Sequence, residues 1–131
     1  MTCGCHPDID TARDLVRGGF SVQTRFGVMH GKTSGSLTES QKEVMHKLRD
    51  SYNMNLHTEA ESEQANVLTP EFIDEYAIIG MPERVVERVK YCEALGIDKL
   101  IMTGTGSGVS VDANKARDLL ERRVLPQFGR A

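Results

Sequence analysis

The chain has 131 residues, of which 39% are hydrophobic and 27% charged, the size and balance of one folded domain around one core. A formal charge of -3, 5% aromatic residues and no Trp supply neither the basic surface that neutralises phosphates nor the stacking platforms of a nucleic-acid binder, so nucleic acid is not expected as a partner. No apolar run approaches the ~20 residues that cross a bilayer. Asp8, Asp10 and Arg13 stand where a signal peptide would be apolar, so the expected address is cytoplasmic.

In chain order, Thr2 to His6 reads as a short strand. Cys3-Gly4-Cys5-His6 carries metal-ligand side chains but has no second pair behind it, so no metal site is expected. Cys92 completes an odd set of three cysteines with no framework spacing, which suits a reducing compartment and needs no disulfide. Asp8 or Asp10 caps a first helix through Ala12, Leu15 and Val16, which Gly18-Gly19 is expected to interrupt. A looser helical stretch follows through Phe20, Val22, Phe26 and Met29. Gly31 to Ser36 is a small-residue loop.

Thr38 with Gln41 makes a capping box, and Val44, Met45, Leu48 and Tyr52 recur at helical spacing, which predicts a helix from about Glu39 to Tyr52. Asn53 to Val67 is polar and acidic without a period, and reads as a connection. Thr69-Pro70-Glu71 starts a short helix ending near Glu75. Tyr76 to Ile79 is predicted as a strand closed by Gly80. Pro82-Glu83 then opens a helix with Val85, Val86, Val89 and Leu95 on its inner side, ended by Gly96 in the left-handed region. Lys99 to Thr103 is predicted as a second buried strand, giving a βαβ crossover with parallel strands. After the glycine loop Gly104 to Gly108, Ser110 or Asp112 caps a last helix lined by Ala113, Ala116, Leu119, Leu120 and Val124 and stopped by Pro126.

Parallel α/β sheets bind ligands beyond the carboxyl ends of their strands. The candidate cofactor- or substrate-binding residues are therefore Gly80 and Met81 after the first strand of the crossover, and Gly104, Thr105, Gly106 and Ser107 after the second. The second loop offers backbone N–H groups near a helix start, which suits an anion, although its spacing is neither the dinucleotide fingerprint nor the phosphate loop. Among His30, His46 and His57, His30 beside the Gly31 loop is the weak candidate for an acid or base. Its competing reading, like that of the methionines and of the charged face Glu83 to Lys90, is an ordinary structural or solvated role.

The stretch from Glu71 to Gly104 resembles the C-terminal portion of the luciferase-like monooxygenases. The likeness lies in an apolar strand closed by Gly80-Met81-Pro82-Glu83, a helix ending in Gly96-Ile97-Asp98, the segment Lys99 to Met102, and a last helix reaching Val124-Leu125-Pro126. Upstream, Ala12 to Gly19 and Arg25-Phe26 resemble the preceding helices of that family. The resemblance implies an α/β fold made of the last two to three βα units of a (β/α)8 barrel, with residues 1–131 forming one C-terminal piece of that domain. It also implies a flavin- or deazaflavin-dependent oxidoreductase acting on a small-molecule substrate, either a monooxygenase using reduced flavin mononucleotide (FMN) and oxygen or a reductase using the deazaflavin coenzyme F-420. Such a portion would need self-association or an N-terminal barrel portion to be active. The alternative from another class is a non-catalytic α/β module that binds a protein partner or an anion through Gly104 to Gly108.

Overall fold

The N-terminal segment holds the centre of the sheet. In the computed structural model, which describes residues 1–33, 35–103 and 110–129, Cys3–Cys5 forms β1. It pairs in parallel with β2, Ile78–Gly80, in the register Cys3 to Ile78 and Cys5 to Gly80. On the other flank Thr2 makes an isolated parallel bridge with Thr103. There Cys3 N–H donates to Thr103 O at 2.7 Å, Thr103 N–H to Met1 O at 2.9 Å, and the Met1 ammonium to Ile101 O at 2.8 Å.

Two expectations are corrected at this sheet. Of the strand predicted over Lys99 to Thr103, only Thr103 bridges; Ile101 is 67% exposed, and Leu100 and Met102 are half-buried. Successive residues of an extended segment aim their backbone polar groups at opposite flanks, and among the described residues only the flank facing Thr2 has a partner. The strand predicted from Tyr76 begins instead at Ile78, because helix α4, Pro70–Tyr76, runs one residue past Glu75 and Ala77 forms its cap. Ala77 N–H caps it by donating to Ile73 O at 2.8 Å, and the Tyr76 ring stacks on Phe72 at 4.7 Å. The strands of the crossover are parallel as expected, but β1 lies between them, whereas in consecutive barrel units each strand pairs with the next.

Helices cover both faces. Gly4 meets α1, Ile9–Phe26, so closely that a Cβ there would lie 2.8 Å from both Ala12 O and Val16 Cγ1. This contact needs a residue without a side chain. Ala12, Val16 and Phe20 then pack with Val44 and Leu48 of α2, Glu39–Ser51, with Phe72 and Ile73 of α4, and with Ile79. Cys3, Cys5 and Ile78 face the opposite way, onto Val85 and Val89 of α5, Pro82–Ala94, and onto Val124.

The helix caps follow the sequence closely. Asp8 is the cap of α1, accepting from Thr11 N–H at 2.7 Å. Thr38 and Gln41 complete the capping box of α2, and Pro70 and Pro82 occupy first turns. Gly96, at φ 84°, ends α5. The connection from Asn53 contains a 3₁₀ turn, Met54–Leu56, and a single helical turn α3, Glu63–Asn66. The last helix, α6, Val111–Leu119, is capped by Ser110 and loosens into a π turn over Leu120–Val124 and a 3₁₀ turn over Leu125–Gln127.

Two further corrections concern helices. α1 passes unbroken through Gly18-Gly19, for reasons of packing taken up below. Leu95, expected on the inner side of α5, is 63% exposed, because the helix ends at Ala94 and nothing among the described residues covers its outer end. Among the described residues no helix is long and apolar enough to cross a membrane.

Candidate site at the carboxyl edge of the sheet

His6 follows β1 directly, and its N–H donates to Gly80 O at 2.9 Å, so the carboxyl ends of β1 and β2 are fastened together. Gly80 sits at φ 124°, and a Cβ there would come 3.0 Å from Arg84 Cδ. A side chain at this position is strained by the backbone and crowded by the arginine. Met81 caps α5 without a side-chain hydrogen bond and is 53% exposed, so its thioether stands free at the edge. The Met81 carbonyl accepts from Val85 N–H, while the N–H groups of Glu83 and Arg84 belong to the open first turn of α5.

The imidazole of His6 is the buried polar group of this edge. The residue is 4% exposed, and its Nε2 has no hydrogen-bond partner among the described residues. Nδ1 lies 3.1 Å from Asp8 N and 3.2 Å from Asp8 O. An amide N–H can only donate and a carbonyl can only accept, so the two contacts call for opposite tautomers; accepting the shorter one, from the Asp8 N–H, leaves the ring proton of the neutral form on Nε2. Nε2 points at Asp112 Oδ1 across 3.6 Å, too long for a hydrogen bond. Asp112 lies in the first turn of α6 and is half exposed.

Three helices therefore begin at this edge: α1 at Asp8, α5 at Met81 and α6 at Ser110. Their dipoles bring partial positive charge there, and Asp8, Glu83 and Asp112 answer it from the first turns. The Asp8 carboxyl is held below the usual carboxylate range, chiefly by the Thr11 N–H. Chemically the edge offers one buried imidazole nitrogen, one half-exposed carboxylate facing it, a glycine covered by Arg84 and an exposed thioether. Two arginines also stand near it: Arg84 lies against Gly80, and Arg123 donates to Glu83 at 3.1 Å.

The expected site residues divide. Gly80 and Met81 stand at this edge. Gly104, Thr105, Gly106 and Ser107 lie outside the described residues. His30 does not belong to the edge: it is exposed in the turn after α1, and that helix of 18 residues carries the chain about 27 Å away from His6 at 1.5 Å per residue. His46 is likewise exposed, on α2, and His57 accepts or donates at 2.7 Å to the Tyr52 hydroxyl in the connection after α2. The residues that sequence reasoning missed are His6, weighed only as a metal ligand, and Asp112, weighed only as a cap. The available signal was His6-Pro7-Asp8 placed between a short apolar strand and a capped helix, the position of a carboxyl-edge turn.

Cys3 and Cys5 are buried in the sheet, and no group of three His, Cys, Asp or Glu side chains able to hold a metal ion occurs among the described residues. Burial pushes the Cys3 thiol up to about 12, with Cys5 adding to it. Burial likewise pushes Cys5 up to about 11, with Glu83 adding to it. Neither thiol is a nucleophile in this setting. No family model matches the chain, and no solved structure matches it.

Proposed function

We propose that this chain supplies the ligand-facing carboxyl edge of a flavin- or deazaflavin-dependent oxidoreductase, with His6 as its polar contact and the exposed Met81, which follows Gly80, as its apolar surface. The observation that carries the reading is the buried Nε2–H of His6, aimed at the start of α6 from the end of the central parallel strand. A buried donor without an acceptor costs about 1–3 kcal/mol, which a ligand oxygen recovers. Support also comes from the likeness of Glu71 to Gly104 to the luciferase-like monooxygenases, in which a bound FMN or deazaflavin carries the hydride or oxygen chemistry.

The residues present fit part of such a cofactor. The exposed Met81 gives a polarizable surface for a planar ring system to lie against, and His6 donates to a ring or side-chain oxygen. Asp112, half exposed and 3.6 Å from Nε2, is free to turn aside or to accept from a ligand hydroxyl. As to architecture, the resemblance points to the end of a (β/α)8 barrel, whereas the strand order, with β1 between β2 and Thr103, is not that of consecutive barrel units.

Titration of the purified chain with FMN and with the deazaflavin, followed by fluorescence, tests the reading. Saturable binding is expected, weakened about tenfold by His6→Ala, the loss of one hydrogen bond to a buried donor. A folded chain that binds neither cofactor overturns it and favours the non-catalytic module.

A further inference from the structure

Among the described residues, the flank of the sheet beyond Thr103 is open in three separate respects. First, Ile101 and Thr103 turn their backbone groups toward the N-terminal segment, so those of Leu100 and Met102 turn outward, where no described residue pairs with them. Second, two apolar side chains of the segment that follows α5 stand in solvent: Ile97 is 44% exposed and Ile101 67%. Third, a groove of about 720 Å³ lies between the end of α5, residues 97–102 and the C-terminal 3₁₀ turn. Its floor includes Val89, Leu100, Met102 and Phe128, and its rim carries Lys90, Glu93 and Asp98.

We infer that this flank is a self-association face on which a second copy of the chain docks edge to edge. Outward-turned backbone groups beside apolar side chains ask for an extended segment rather than a helix or a small ligand. A two-fold axis brings two copies of residues 99–102 together antiparallel, which satisfies the Leu100 and Met102 groups of both at once. The rim decides for a like partner: it holds both signs, so Lys90 of one copy meets Glu93 or Asp98 of the other, whereas a strongly charged partner would be repelled by half of it. The face lies at the outer end of α5, away from the carboxyl edge, and does not depend on the flavin reading.

Light scattering coupled to size-exclusion chromatography of the full chain, over about a hundredfold dilution range, tests the face. A dimer mass at high concentration is expected. Ile101→Lys and Ile97→Lys alter side chains already largely in solvent, so both variants keep the helical circular dichroism spectrum, and each weakens the dimer at least about tenfold. A monomer throughout, or a dimer indifferent to both substitutions, overturns the inference. A larger assembly that resists both substitutions overturns it as well, since it would use another surface.

Discussion

Gly18 of α1 lies against the backbone of Thr58: a Cβ at Gly18 would stand 2.0 Å from Thr58 O and 2.8 Å from its carbonyl carbon. Gly19 next to it would meet nothing within 4 Å. Two adjacent glycines in the middle of one helix thus have opposite reasons to be there. Gly18→Ala drives a methyl into a backbone that cannot yield without moving the loop, and is expected to cost about 1–3 kcal/mol. Gly19→Ala removes backbone entropy at an open position and is expected to stabilise by up to about 1 kcal/mol. Urea unfolding of the two variants beside the parent measures both signs; equal effects would refute the contact.

This pair also shows what a sequence conceals. Helix starts were legible because a cap is a local device: Asp8, Thr38, Thr69 with Pro70, and Ser110 each bond an N–H two or three residues on. Gly96 ended α5 for an equally local reason. The continuity of α1 was not legible, since Gly18 is required by residue 58, forty positions away. The same holds for Lys99 to Met102, whose apolar run promises a strand while no described residue pairs with it on one flank. At the site, Gly80-Met81 announced itself as the end of an apolar strand, whereas His6 gained meaning only when β1 proved central and α6 began beside it.

Arg13 joins α1 to α4 by a bidentate contact, with Nε donating to Asp74 Oδ1 at 2.9 Å and Nη2 to Oδ2 at 2.6 Å. The Asp74 bonds are the main reason that the guanidinium is held above its ordinary pKa, and both side chains are largely shielded. Arg13→Lys keeps the charge but loses the planar fork, and Asp74→Asn loses the charge but keeps the shape. Each is expected to cost about 1 kcal/mol in chemical denaturation. A double variant no worse than either single one would identify this contact as the shared cause; additive losses would deny it.

Gln64, 1% exposed, ties the connection after α2 to itself: its Oε1 accepts from Asn53 N–H at 2.6 Å and its Nε2 donates to Leu56 O at 3.0 Å. Gln64→Met preserves volume but leaves both backbone groups without these partners, at an expected cost of about 1–3 kcal/mol. The loop that Gln64 holds includes Thr58, so loosening it also weakens the seat of Gly18. Limited proteolysis should then cut between Asn53 and Ser62 faster than in the parent chain. Unchanged cleavage would show that the loop is held elsewhere.

Cys3 and Cys5 predict how the fold responds to alkali. Their thiols are pushed up from 9.0 to about 12 and about 11, in each case first by burial. In the unfolded chain they ionise near the ordinary value, so above it the folded state holds more protons than the unfolded one. Stability therefore falls as pH rises. The contribution is complete below about pH 9 and is lost on the way to the folded-state values, at up to about 1.4 kcal/mol per thiol for each pH unit. Burial also raises the Tyr52 and Tyr76 hydroxyls, which adds to the slope, so the thiol share is read from a Cys3→Ala/Cys5→Ala variant, whose alkaline loss between about pH 9 and pH 10 should be the smaller. Alkylation gives an independent reading. Half-buried Cys92 should label in the native state near about pH 8, and Cys3 and Cys5 only on unfolding. Equal native labelling of all three would mean that β1 opens readily, and the placement of that strand at the centre of the sheet would then fail.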